Sequence, residues 1–508
     1  MVTPGAAGPG TPPAAQGEDI AALAKGGRTN FFGFLLRLVA RLPFLLIAGR
    51  LYGAAELGRF ALAVLVIEFA AQLSTLGLKR GLAQQLSKND RPHVHVVWDG
   101  LLIAGIAASI AAAVLATLPE IMFPNSAVTG LERLLPLSIF CVAWSDVSLA
   151  ALAYRHNVAA TVRARAIVEP WTITIAAGIL YFYSTHDGLI IAYAISMIAA
   201  LTASIIPFVR AYGWPHGWRP APVALLTLAR RNAPLAAADA IEWGTRNVDR
   251  FILGLLFAPS VVGIYWVAQQ IVTLPQKLKT SFDPILGPVI TQNLAAGNTA
   301  AVAAQVRQVG FWIIAAQAGI ALALAIPGQA VMGLAGPEFV AGTAALAILL
   351  SAEVVASAAV VSESALIYVA RHRNLMISLA TIILQILLSF AFIFLFDALH
   401  WPLAVQAIGP ALALPAALGF ASIMKARLLS RLLGAPVSPW RWALVWAVAA
   451  AGLVGFVVTK LPKSFEWMEL AIGIPVILLS YGTVIWLRGF TKEDRVLFRF
   501  HEKKVVEG

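Results

Sequence analysis

Windows of about 20 apolar residues recur from Phe31 to Leu487, each long enough for a helix to cross a hydrocarbon core about 30 Å thick. Only 12% of the 508 residues are charged and 60% are hydrophobic, whereas about a quarter of a soluble domain is charged. The chain therefore reads as an all-α polytopic membrane protein. The longest polar insert, from Arg210 to Asn232, falls well short of the roughly 50 residues of a small independent domain. Function must lie in the membrane part.

The windows predict fourteen spans, at about 30–49, 58–78, 94–118, 133–154, 166–184, 188–209, 233–257, 260–284, 309–327, 341–369, 375–396, 402–424, 442–459 and 469–487. An even number puts both termini on one side. Alternate loops on that side, with the tails, hold roughly 28 of the 37 Lys and Arg, while the other side holds about five, Arg50, Arg59, Arg133, Lys460 and Lys463. By the positive-inside rule both termini are expected in the cytoplasm. Scattering among spans also argues against a nucleic-acid surface, which needs a continuous basic patch. The opposite loops, such as Thr185 to Gly188, are tight hairpins with little to bind a soluble partner.

The spans group into a tail (1–29), an N-terminal six-helix lobe (30–210), a connection (211–232), a C-terminal six-helix lobe (233–424), a loop (425–441), two accessory helices (442–487) and a C-terminal tail (488–508). The tail to Gly27 is rich in Gly, Ala and Pro and has the composition of a disordered segment. Cys141 stands alone in an apolar run, so no disulfide or cysteine metal cluster forms within one chain. The eight histidines have no HExxH spacing, and no metal site is expected. Nucleotide motifs such as GxxxxGK[ST] are absent, as is GxSxG. The chain reads as a transporter without a bound cofactor, not an enzyme.

Charged residues inside the spans locate the function. A charge facing lipid at mid-depth costs about 3 kcal/mol on insertion scales, so such groups face a bundle interior or water. Arg37 and Arg41 are spaced i, i+4, as are Glu242 and Arg246, and Arg246 and Arg250, so each set lies along one helix face. Guanidinium groups stay protonated and bind phosphate oxygens in pairs, which makes these four the candidate anion-binding residues. The competing reading is structural: Glu242, Asp239 and Asp249 would neutralise the later arginines, and Arg37 and Arg41 would snorkel or pair with Glu68. Glu68, Glu242 and Glu353 are the candidates among the intramembrane carboxylates for coupling to protons or sodium ions.

A shift of 205 residues places AGRLYGAAELGRFALA (Ala48 to Ala63) on LGLLFAPSVVGIYWVA (Leu253 to Ala268). Gly49 then meets Gly254, Gly58 meets Gly263, and Arg41 meets Arg246. Duplicated halves in one orientation suit a transporter whose two lobes rock around a central cavity.

Val248 to Ile290 resembles the seventh and eighth helices of the polysaccharide transporter family, and Tyr52 to Ala63 resembles its opening hairpin. That family belongs to the multidrug, oligosaccharidyl-lipid and polysaccharide exporter superfamily. The resemblance implies a flippase that carries an undecaprenyl-pyrophosphate-linked oligosaccharide across the bacterial inner membrane by alternating access, for exopolysaccharide, capsule or O-antigen. Its partners would be the lipid-linked oligosaccharide, membrane lipid, a polysaccharide polymerase and chain-length proteins. The alternatives are a lipid-linked peptidoglycan precursor flippase, a multidrug exporter, which the arginines oppose, and a polymerase, which would need a large far-side loop.

Overall fold

The computed structural model describes residues 42–88, 91–128, 131–280, 290, 293–294, 297–460, 466–491 and 494. These are helical almost throughout, with no β-strand among the described residues. Helix α1 covers 42–52, and is followed by α2 (Gly53–Ser74), a short α3 (Leu78–Leu86), α4 (His93–Thr117), α5 (Ser138–Tyr154), α6 (158–180) and α7 (Gly188–Tyr212). Then come α8 (Pro222–Leu256), α9 (Pro259–Thr280), α10 (Thr299–Ala325), α11 (Thr343–Val369), α12 (Arg371–Ala398), α13 (Gly409–Leu433), α14 (Ala443–Val458) and α15 (Ile474–Val484). Each of the fourteen predicted spans has described residues on one of these helices, the first only from residue 42 and the eighth only to 280; α3 is the addition. The polar insert 211–232 is helical from Pro222 onward, because proline is tolerated in a first helical turn.

The chain divides into two compact units. One comprises 63–123 and 127–240 with the chain before residue 52, and the other comprises 52–62, 124–126 and everything from 241. In the first unit, buried positions are dominated by small residues, among them Ala104, Ala108, Ala143, Ala151, Ala192 and Ala200, while Ile106, Ile110, Ile175, Ile179 and Ile198 point outward. Lipid is as apolar as these side chains, so helices associate by close packing of small residues and leave large ones to the bilayer. Leu78, Leu82, Leu101, Val147, Leu152 and Phe208 fill the space between α3, α4, α5 and α7. The second unit repeats the pattern around Val306, Ile313, Val361, Leu366 and Leu429, with α14 and α15 laid on α10 through Ala315, Ala318, Ala447, Ala451 and Ile477.

The repeat at 205 residues has a direct structural counterpart inside the second unit. A Cβ on Gly58 would lie 1.7 Å from the Pro259 carbonyl oxygen, and a Cβ on Gly263 would lie 2.0 Å from that of Ala54. Ala54 aligns with Pro259 and Gly58 with Gly263, so the aligned pairs touch reciprocally, as a local two-fold relation requires. Only glycine allows the backbones of α2 and α9 this close. The Phe60 and Trp266 rings meet edge to face at 6.2 Å beside it. Gly58→Ala should therefore destabilise the protein by about 1–3 kcal/mol through overpacking against backbone. Gly452→Ala, where a Cβ meets nothing within 4 Å, should cost nothing, and melting in detergent compares the two.

Beyond α15, Asp494 is fully enclosed and saturated with donors. Arg441 Nη1 donates to Oδ2 at 2.6 Å, joined by Thr491 N–H at 2.9 Å and Thr491 Oγ1 at 2.8 Å. Trp312 Nε1 at 2.8 Å and Gln308 Nε2 at 3.1 Å donate to Oδ1. Burial alone would raise the carboxyl, but the Arg441, Thr491 and Trp312 donors outweigh it and hold it well below the usual carboxylate range. With the folded value depressed, the stabilisation is complete above the unfolded value of about 3.9 and is lost as pH falls below it. Asp494→Asn should thus melt lower than wild type at pH 7 and equally so at pH 5.5, the two converging only in strong acid.

Candidate functional site

In the first unit, α3 is seated by two glycines. Gly77, at φ 72°, and Gly81 pack on Asn232 and Leu235 of α8, where a Cβ would come within 2.7 Å and 1.8 Å of α8 atoms. That seat brings consecutive basic residues onto two carboxylates, Asp239, which is buried, and Asp146, which is partly so. Arg80 Nε lies 3.0 Å from Asp239 Oδ1, and Lys79 Nζ lies 2.9 Å from Asp146 Oδ2 on α5. Asp146 also takes an ion pair from Arg165 on α6, and Arg165 Nη1 reaches Glu169 Oε2 at 2.7 Å. Ser196 Oγ on α7 donates to the Glu169 carbonyl at 2.8 Å. Two cations and two carboxylates thus knit α3, α5 and α6 within the membrane part, with no net charge. Ion pairing of this kind removes the cost of burying each charge singly.

In the second unit, Arg246 Nη2 lies 3.0 Å from Glu242 Oε1, one turn earlier on α8, and the two side chains are 53% and 49% exposed. On a membrane helix, two charges this exposed would be costly to turn toward lipid. One turn on, the chemistry changes. Asp249 is buried and accepts from Tyr265 Oη at 2.5 Å, Gln269 Nε2 at 3.0 Å and the Arg250 N–H at 2.8 Å. Arg250 is buried too, its Nη2 donating to Asn247 Oδ1 at 2.5 Å. Glu353 on α11 is buried and accepts from Gln276 Nε2 of α9 at 2.9 Å. Lys425 bridges Glu363 at 2.9 Å and Ser378 at 3.2 Å.

Of the described residues singled out from sequence, Glu242 and Arg246 are brought together. Arg246 carries its counter-charge with it, and Arg250 is a buried structural neighbour of Asn247. The i, i+4 spacing of Arg246 and Arg250 puts both on one side of α8, yet one is exposed and the other enclosed, because the helix meets Tyr265 and Gln269 at the level of Asp249. Glu68 is exposed on α2 of the first unit, and Glu353 lies in the second unit against α9. Arg37 and Arg41 lie outside the described residues. The Lys79–Asp146–Arg165–Glu169 network is not apparent from the sequence, in which Lys79 and Arg165 fall just outside the predicted spans 58–78 and 166–184. The i, i+4 spacing of Arg165 and Glu169 was its one visible sign.

An all-α bundle of long apolar helices with paired charges among them is the fold of a polytopic membrane protein, and known structures share it. A lipid II flippase, MurJ, in an inward closed conformation superposes with a TM-score of 0.67 at 13% identity, over 94% of this chain and 100% of that one. An inward-facing multidrug resistance MATE family transporter of the MOP superfamily gives 0.61 at 12% identity, over 79% and 98%. A MOP superfamily transporter from Pyrococcus furiosus, described by the reverse polarity of its binding pocket, gives 0.55 at 14%, over 81% and 96%. Comparison with curated proteins finds no match. The family model for polysaccharide biosynthesis proteins matches residues 47–325, more than half of the chain. The protein belongs to that family.

Proposed function

We propose that the protein is a flippase moving an undecaprenyl-pyrophosphate-linked oligosaccharide across the bacterial inner membrane, by alternating access, for the synthesis of exopolysaccharide, capsule or O-antigen. The observation that carries this reading is the half-exposed Glu242–Arg246 pair on α8, in a member of a polysaccharide biosynthesis family. An exposed ion pair is worth about 0–1 kcal/mol, while a guanidinium bound in bidentate fashion to phosphate makes bonds about twice as strong as neutral ones. A pyrophosphate therefore displaces Glu242 from Arg246 at little cost. Arg37 and Arg41 complete the anion-binding set in this account, and Arg250, buried against Asn247, would join it only on opening of this part of α8.

Exchange at Arg246 also provides coupling. A carboxylate deprived of its counter-charge inside a membrane recruits another cation, a proton or a sodium ion. Glu242 takes that role, with Glu68 and Glu353 as the further carboxylates that respond to a gradient. No covalent bond of the substrate changes, so the protein acts as a transporter and not an enzyme.

The test uses purified protein in vesicles with a fluorescent undecaprenyl-pyrophosphate oligosaccharide. The lipid-linked sugar should cross the bilayer at unchanged mass. Chain lengthening would identify a polymerase, and movement of a lipid-linked peptidoglycan precursor in its place would reassign the substrate. Glu242→Gln should abolish any dependence on a pH or sodium gradient; transport in the wild type that ignores both gradients would exclude coupling.

A further inference from the structure

At one end of the first unit, three side chains from two separate segments converge. Glu132 belongs to the 3₁₀ turn Leu131–Leu137 that leads into α5, and is fully enclosed. His186 and Asp187 lie in the hairpin between α6 and α7. His186 Nε2 is 3.1 Å from Glu132 Oε1, and one ligand atom from each of Glu132, His186 and Asp187 lies within 4.8 Å of the other two. No metal was expected from the histidine spacing, because the set is assembled by the fold and not by one helix.

Asp187 supplies the independent sign. It occupies the N-cap position of α7, where an aspartate ordinarily accepts a hydrogen bond from the first turn, yet its side chain makes no capping bond. Instead Oδ1 is buried with no hydrogen-bond partner among the described residues, and the Asp187 carboxylate lies beside that of Glu132. Two carboxylates this close repel unless a cation lies between them. A protonated His186 would satisfy Glu132 and still leave the Asp187 oxygen unmatched. The Asp187 N–H is meanwhile held by Ser184 Oγ at 3.0 Å, which fixes the hairpin in this register.

We infer that Glu132, His186 and Asp187 form a binding site for a divalent transition metal ion, of which zinc is the natural occupant. Imidazole with two carboxylates suits zinc, whereas magnesium and calcium prefer oxygen alone. With bonds of about 2.0–2.2 Å, neighbouring ligands of a tetrahedral zinc lie about 3.3 Å apart, close to the Glu132–His186 separation. A water completes the fourth position. The metal clips the α6–α7 hairpin to the start of α5 and sets the register of these helices at that end. This inference stands whatever substrate is carried.

The full-length protein, purified in detergent, stripped with chelator and dialysed against zinc chloride, tests it by elemental analysis and by melting. About one zinc per chain should remain, and zinc, but not magnesium, should raise the melting temperature. His186→Asn and Asp187→Asn should each bring bound zinc to background and remove the zinc-dependent rise; because these side chains are partly exposed, they carry the test even if Glu132→Gln fails to fold. A wild type that retains no zinc, or variants that retain as much as wild type, would overturn the site and leave a Glu132–His186 ion pair only.

Discussion

Arg246→Glu should cut translocation of a lipid-linked oligosaccharide by about 100-fold or more while leaving membrane insertion and melting temperature unchanged. The size follows from the bonds lost. Charge-assisted hydrogen bonds contribute about 1.5–3 kcal/mol each, so losing a bidentate contact to pyrophosphate costs about 3 kcal/mol, and each 1.4 kcal/mol is tenfold. Replacement by a second carboxylate beside Glu242 adds repulsion to an anionic substrate. Stability is spared because the native pair is half exposed and exposed pairs contribute little. Vesicle transport and thermal melting on the same preparation separate the two effects.

The opposite profile is expected for Asp146→Ala. This carboxylate pairs with both Arg165 and Lys79, and Arg165 is 16% exposed. Removing one partner of a buried pair typically costs 3–5 kcal/mol, because the other charge is left uncompensated. A large fall in melting temperature should therefore accompany the substitution. Asp146→Leu combined with Arg165→Leu should destabilise less than either single change, since the pair is then removed and not broken. Equal or greater loss in the double variant would show that the network contributes more than mutual neutralisation.

The architecture was legible because bilayer thickness fixes helix length, and fourteen apolar windows are hard to hide in a sequence. The repeat was legible through Gly58 and Gly263, whose alignment at 205 residues turned out to be a physical contact. Ion pairing was not. Nothing local to Lys79 or Arg80 points to Asp146 or Asp239; the pairing exists because Gly77 and Gly81 let α3 approach α8 closely. Similarly, Arg246 and Arg250 share a spacing but not an environment, since burial at Arg250 depends on what α8 meets. The Glu132, His186 and Asp187 set has no sequence signature at all, as its members are gathered by a hairpin and a turn from different parts of the chain.

The central claim is that the surface bearing Glu242 and Arg246 is watered and selective for anions. Glu242→Cys in a Cys141→Ser background exposes a thiol beside an unpaired Arg246, to be challenged with membrane-impermeant thiosulfonates of either charge. Rapid labelling, faster with the anionic reagent and slowed by an undecaprenyl-pyrophosphate oligosaccharide, is the result this account predicts. A thiol inert to both reagents, in a protein whose exposed loop cysteines react, would place this part of α8 against lipid or packed helices and contradict it.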